Sequence, residues 1–178
     1  MTTSTTTWAA MQKRLDALQR PTAAFTICED LDAKQRLTRA KNGADEAEQA
    51  LATAAAASAD AADRTVLEAH AKDAKAELAA AQRAFDKASI TLRFTALERK
   101  ELEALQAAHP ATEEEEADGD EFHSETFAPA LISAASQDGM PLDYARHCLD
   151  SWSAADARGL WNAAWQIQFQ QRTDLGKG

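Results

Sequence analysis

The sequence predicts a mainly α protein with a small two-stranded antiparallel sheet. A long antiparallel coiled-coil hairpin is inserted between the strands, and a helical bundle follows at the C-terminal end. Three observations carry this. Two alanine-rich stretches repeat apolar residues at alternating steps of four and three, two short alternating segments flank them, and three of the four tryptophans fall within the last third.

The chain opens on a polar, threonine-rich lead with neither a basic nor an apolar region of the kind a secretion signal needs. Trp8, Met11, Leu15 and Leu18 then fall at helical spacing until Pro21 stops the run, which predicts a short amphipathic helix whose tryptophan packs on the body or, as the lesser alternative, anchors a partner. In 24–28, Phe25 and Ile27 alternate with Thr26 and Cys28, the period of a strand. Residues 1–29 therefore form an N-terminal helix and first strand.

Residues 30–88 form the hairpin. Ala33, Leu37, Ala40, Ala44, Ala47, Leu51 and Ala54 make one seam, and Leu67, Ala71, Ala74, Leu78, Ala81, Phe85 and Ala88 make the other. Ser58, Asp60 and Asp63 interrupt the pattern and offer caps for the second arm. Arms of roughly 28 residues would run about 40 Å at ~1.5 Å per residue. Gly43 costs about 1 kcal/mol relative to Ala inside a helix and serves close helix approach or a local bend, its place beside Ala40, Ala44 and Ala47 favouring close approach.

Residues 89–109 form a second strand and helix. Ile90, Leu92 and Phe94 alternate with Thr91, Arg93 and Thr95, so the strand pairs antiparallel with the first. Such a pair is marginal in water, so helices must cover its Phe25, Ile27, Ile90, Leu92 and Phe94 face. Leu97, Leu102 and Leu105 direct the following helix inward until His109 and Pro110 end it. Residues 110–123 hold Glu113, Glu114, Glu115, Glu116, Asp118, Asp120 and Glu121 with no apolar anchor before Phe122, and read as a solvated acidic loop or linker.

Residues 124–178 form the C-terminal helical domain. Ser124 caps a helix bearing Phe127, Leu131 and Ile132. A turn at Gly139 and Pro141 leads into a helix that uses Leu142, Ala145, Leu149 and Trp152. Ser153 to Asp156 then starts a final helix with a stripe of Ala157, Leu160, Trp161, Ala164, Trp165 and Gln168. Trp152, Trp161 and Trp165 are core residues or, where one edge is exposed, the candidate partner-binding surface.

The chain holds 29 acidic against 19 basic residues, a net charge of −10, which repels phosphate backbones and anionic lipid and argues against nucleic-acid and membrane partners. Cys28 and Cys148 show no paired spacing, and no apolar run is long enough to span a bilayer, which together suggest a soluble protein of a reducing cytoplasm. No zinc spacing, phosphate loop, dinucleotide glycine pattern or nucleophile elbow occurs. His147 and Cys148 are adjacent, so on a helix they diverge by about 100° and do not form a nucleophile–base pair. The expectation is a non-enzyme with no catalytic residue, metal or cofactor. Metal uptake through Glu114, Glu116, Asp118 and His123 is the weaker alternative.

The order of parts resembles the tail assembly chaperones of long-tailed, siphovirus-like phages of actinobacteria. The resemblance lies in the strand 25–30 leading into a coiled coil, in 90–97 running into a helix that ends at Pro110, and in three C-terminal pieces, 126–136, 149–152 and 160–165. It spans most of residues 22–170, and none of its pieces is a catalytic signature. It implies a non-enzymatic factor of the host cell cytoplasm, absent from the mature virion. Such a factor holds the tape measure protein soluble while the tail tube grows, with the hairpin arms or the tryptophan-bearing C-terminal helices as the contact face and the major tail tube protein and self-association as further contacts. It also implies a longer product made by −1 ribosomal frameshifting. If Leu175, Gly176 and Lys177 were encoded CTG GGA AAG, the message would contain a slippery heptamer at Gly176 and Lys177. The alternative is a structural head–tail or tail component of the virion that uses the hairpin for oligomerisation.

Overall fold

A computed structural model describes residues 7–57 and 60–171. Gly176 and Lys177, and the capping residue Ser58, lie outside the described residues. The chain is mainly helical with one two-stranded antiparallel sheet, as the periodicities require. Its elements run α1 (Trp8–Asp16), β1 (Thr22–Cys28), α2 (Leu31–Ala56), α3 (Ala61–Lys87), β2 (Ser89–Thr95), α4 (Arg99–Ala108), α5 (Glu113–Asp118), α6 (Ser124–Ala135), α7 (Leu142–Ser151) and α8 (Ala154–Gln166), closed by a 3-10 turn at Ile167–Phe169. They divide into two compact units, one of residues 26–91 and one of residues 1–25 with 92–178.

In the first unit, α2 and α3 pack closely along both predicted seams. Ala33, Leu37, Ala40, Ala44 and Ala47 are buried on α2, and Ala71 on α3, while Leu67, Ala74, Leu78, Ala81 and Phe85 are partly buried. Small seam residues allow helices to approach closely, and the charged positions between them stay in water. Asp30 caps α2 by accepting from the amides of Asp32 and Ala33 at 2.9 and 3.0 Å. Asp60 caps α3 more loosely, accepting from Ala62 at 3.4 Å. The expected close approach at Gly43 is not made. A Cβ built there would meet nothing within 4 Å, because the contact is made by the alanines that flank it on the seam.

The strands keep one register. The amide of Ala96 donates to Pro21 at 3.0 Å, the hydroxyls of Thr26 and Thr91 lie 3.0 Å apart, and the amide of Glu29 donates to Ala88 at 2.9 Å. The expected apolar face is covered only in part. Phe25, Leu92 and Phe94 pack on the core of the second unit, but Ile90 is 50% exposed. Covering helices act on the strand ends that carry Phe25 and Phe94.

That core gathers Phe94, Phe127, Pro129, Leu131, Ile132, Cys148 and Leu160, each less than 2% exposed. The turn after α6 also closes the free edge of β2. Phe94 bridges to Ser136, the Gln137 amide donates to Arg93 at 2.8 Å, and the Arg93 amide donates to Asp138 at 2.8 Å. On α7 the inward stripe begins at Ala145. Leu142, expected inside, occupies the first helical position and is 42% exposed, while Cys148 takes the buried place. Burial raises the Cys148 thiol pKa. Ser153 caps α8 as expected, accepting from the Asp156 amide at 3.2 Å and donating to its carboxylate at 2.7 Å.

Gly159 is the glycine that packing requires. A Cβ there would sit 2.8 Å from the ring of Phe25, which itself stacks on Trp152 with centroids 6.2 Å apart. The absent side chain lets α8 lie against the strand.

Two substitutions separate these glycines. Gly43→Ala raises unfolding free energy by about 0.5–1 kcal/mol in urea denaturation, because only helix propensity changes. Gly159→Ala lowers it by about 1–3 kcal/mol through overpacking against Phe25, and Phe25→Leu in the same chain recovers part of the loss.

Candidate functional site

The candidate site is an aromatic groove on the C-terminal unit. Trp161 and Trp165 are one helical turn apart on α8, so their rings lie over each other, with centroids 5.3 Å apart and planes 14° from parallel. Fully buried Phe127 supports both edge-on, at 6.1 and 5.8 Å. Phe122 completes the cluster, 4.2 Å from Phe127 and 5.3 Å from Trp165. With Ser124, Ala128, Leu149, Ala157 and Arg158, the rings of Phe122, Trp161 and Trp165 line an open depression of about 510 Å³. Trp161, Trp165 and Phe122 are only partly buried.

Two of the three tryptophans singled out in sequence therefore come together. Trp152 does not join them. It follows α7, stacks on Phe25 and packs against the main core, so its role in the fold is structural. Phe122 and Leu149 are groove residues that pattern reading missed as such. Phe122 is the first apolar residue after the acidic run, and that isolation was the available signal.

The acidic segment is not a loop. Residues Glu113–Asp118 form α5, started by a reciprocal capping box in which the Thr112 hydroxyl accepts from the Glu115 amide and the Glu115 carboxylate accepts from the Thr112 amide at 2.9 Å. Gly119, at φ +91°, ends the helix in the left-handed region. Four consecutive glutamates in the first turn favour a helix because its N-terminal end carries partial positive charge.

Glu115 also fastens α5 to α6. The ring Nδ1–H of His123 donates to its two oxygens at 3.0 and 2.8 Å, and the amide and hydroxyl of Ser124 donate at 3.2 and 3.4 Å. Ser124 is thus not the cap of α6. It is the first helical residue, His123 holds the N-cap position with no side-chain bond to the helix's own amides, and Glu115 supplies the carboxylate from outside. This clamp spans the connection that carries Phe122 and anchors the end of α5 beside the groove. Glu113, Glu114, Glu116, Asp118, Asp120 and Glu121 remain exposed around it. Glu115 and His123 are engaged with each other, and no group of three or more His, Cys, Asp or Glu residues with metal-binding geometry occurs among the described residues.

The Thr112 amide, acting against partial burial and helped by His123, Ser124 and the Thr112 hydroxyl, holds the Glu115 carboxyl down from 4.5 to about 2. The folded value is the lower one, so the clamp's stabilisation is fully present above pH 4.5 and is lost as pH falls towards 2. In NMR titration the Ser124 and Thr112 amides should therefore shift with an acid midpoint near 2 rather than 4.5, and Glu115→Gln should abolish that transition.

Comparison with protein-family models, with curated proteins and with solved structures gave no match.

Proposed function

We propose that this chain is a non-enzymatic assembly factor, a phage tail assembly chaperone that holds an amphipathic helical client, the tape measure protein. The observation that carries the proposal is the groove of Phe122, Trp161 and Trp165, an open apolar surface beside exposed carboxylates. Aromatic side chains give large contact area at low entropic cost, and a helix laid into such a groove is anchored through residues one turn apart. The chain's net charge of −10 favours clients with basic flanks and keeps the complex dispersed.

The hairpin serves this reading as a spacer rather than a contact face. Its seams are consumed by each other and, Leu31 and Val66 apart, the described positions between them are polar, alanine or glycine. Action in the cytoplasm, exclusion from the finished virion and a frameshifted second product belong to the same proposal.

Co-expression with the tape measure protein, followed by affinity capture and immunoblotting, tests it. The native chain retains the client. Replacing Trp161 and Trp165 with Ser lowers recovery about tenfold or more, while Trp8→Ser leaves it unchanged. Failure of the native chain to retain the client, or equal retention by the groove variant, would overturn the proposal.

A further inference from the structure

Among the described residues that line the aromatic groove, the charged one is Arg158. Arg158, Trp161 and Trp165 stand at i, i+3 and i+7 on α8, so one face of that helix carries a guanidinium followed by two stacked indoles. At ~1.5 Å per residue the row is about 10 Å long, the length of two helical turns.

This cation has no partner of its own. Between Glu101 and Gln171 the chain holds fourteen Asp and Glu residues against two Arg and no Lys. Arg146 lies 4.0 Å from Asp143, whereas among the described residues no carboxylate oxygen comes within 4 Å of the Arg158 guanidinium. Glu125 and Asp150 line an adjoining pocket that shares Ser124 and Leu149 with the groove, and neither reaches it. In so acidic a stretch, the groove keeps its cation unneutralised.

Arg158 is exposed, and water solvates it. A helix laid over the rings changes that. It strips water from one side of the guanidinium, and an apolar or cationic residue placed there leaves the charge poorly solvated. A carboxylate in the same place pairs with it at the edge of an apolar contact, where screening by water is reduced.

We infer that the groove selects a helix carrying an Asp or Glu one turn from a pair of apolar anchors, and that Arg158 is the residue that reads this carboxylate. The anchors meet Trp161 and Trp165 while the acid meets Arg158. Selection then comes both from the added ion pair and from the penalty on its absence. Basic flanks drawn by the net charge of the chain lie beyond these two turns. The inference rests on reading the groove as the receptor for a client helix, and adds to it the local chemistry of that client.

Fluorescence anisotropy of labelled synthetic peptides on the full chain tests it. Each peptide is an alanine-based helix with two Leu residues four apart and a Glu one turn before or one turn after them, which covers both directions along α8. In one direction the Glu peptide binds about two- to fivefold tighter than its Gln counterpart, and about tenfold tighter than its Lys counterpart. Arg158→Gln removes the difference and Arg158→Glu reverses it, with the protein's melting curve unchanged because the side chain is exposed. Raising NaCl from about 50 to about 500 mM narrows the ratio. Binding that is lost on replacing Trp161 and Trp165 with Ser, yet is indifferent to the Glu position and to residue 158, overturns this inference and leaves the groove as a receptor. Absence of binding by every peptide, or binding indifferent to the tryptophan replacements, overturns the receptor reading and this inference with it.

Discussion

The antiparallel pairing of β1 with β2 is the constraint on which both units depend. It joins residues on either side of a long insertion, and closing such a loop carries an entropic cost that grows slowly with its length. Here the insertion returns its own ends. α2 and α3, of 26 and 27 residues, zip along facing seams, so the chain leaving Cys28 re-enters at Ser89 opposite its exit. The strand pair then supplies Phe25, Leu92 and Phe94 to the core beneath α6, α7 and α8. Loss of register by one residue would turn that apolar set outward and remove the floor of the C-terminal unit.

A second dependency runs through Phe127. Its ring is wholly buried and meets Phe122, Trp161 and Trp165 on three sides, so the groove is an extension of the core rather than a feature added to its surface. Glu115 completes it from the other direction. One carboxylate starts its own helix, accepts from His123 and satisfies the first amide of α6. The remaining acids of α5 stay exposed to solvent, and the charged side chain among the groove's lining residues is Arg158.

Periodicity determined most of the architecture. Heptad spacing placed both hairpin seams, alternation placed both strands, and the i, i+4 step put Trp161 beside Trp165. These are local properties, set by the geometry of a helix or strand, and a sequence displays them directly. What tertiary structure alone decided were matters of proximity between distant segments. Gly159 matters because Phe25 lies over it, whereas Gly43, which sequence marked for close packing, touches nothing. Glu115 differs from its neighbouring glutamates only because Thr112, His123 and Ser124 reach it. Trp152 parts from the other tryptophans because Phe25 stacks on it, and Trp8 is exposed because no described residue covers α1. Spacing states which face a side chain is on. Whether that face is covered depends on residues far along the chain, and those are brought together only by folding.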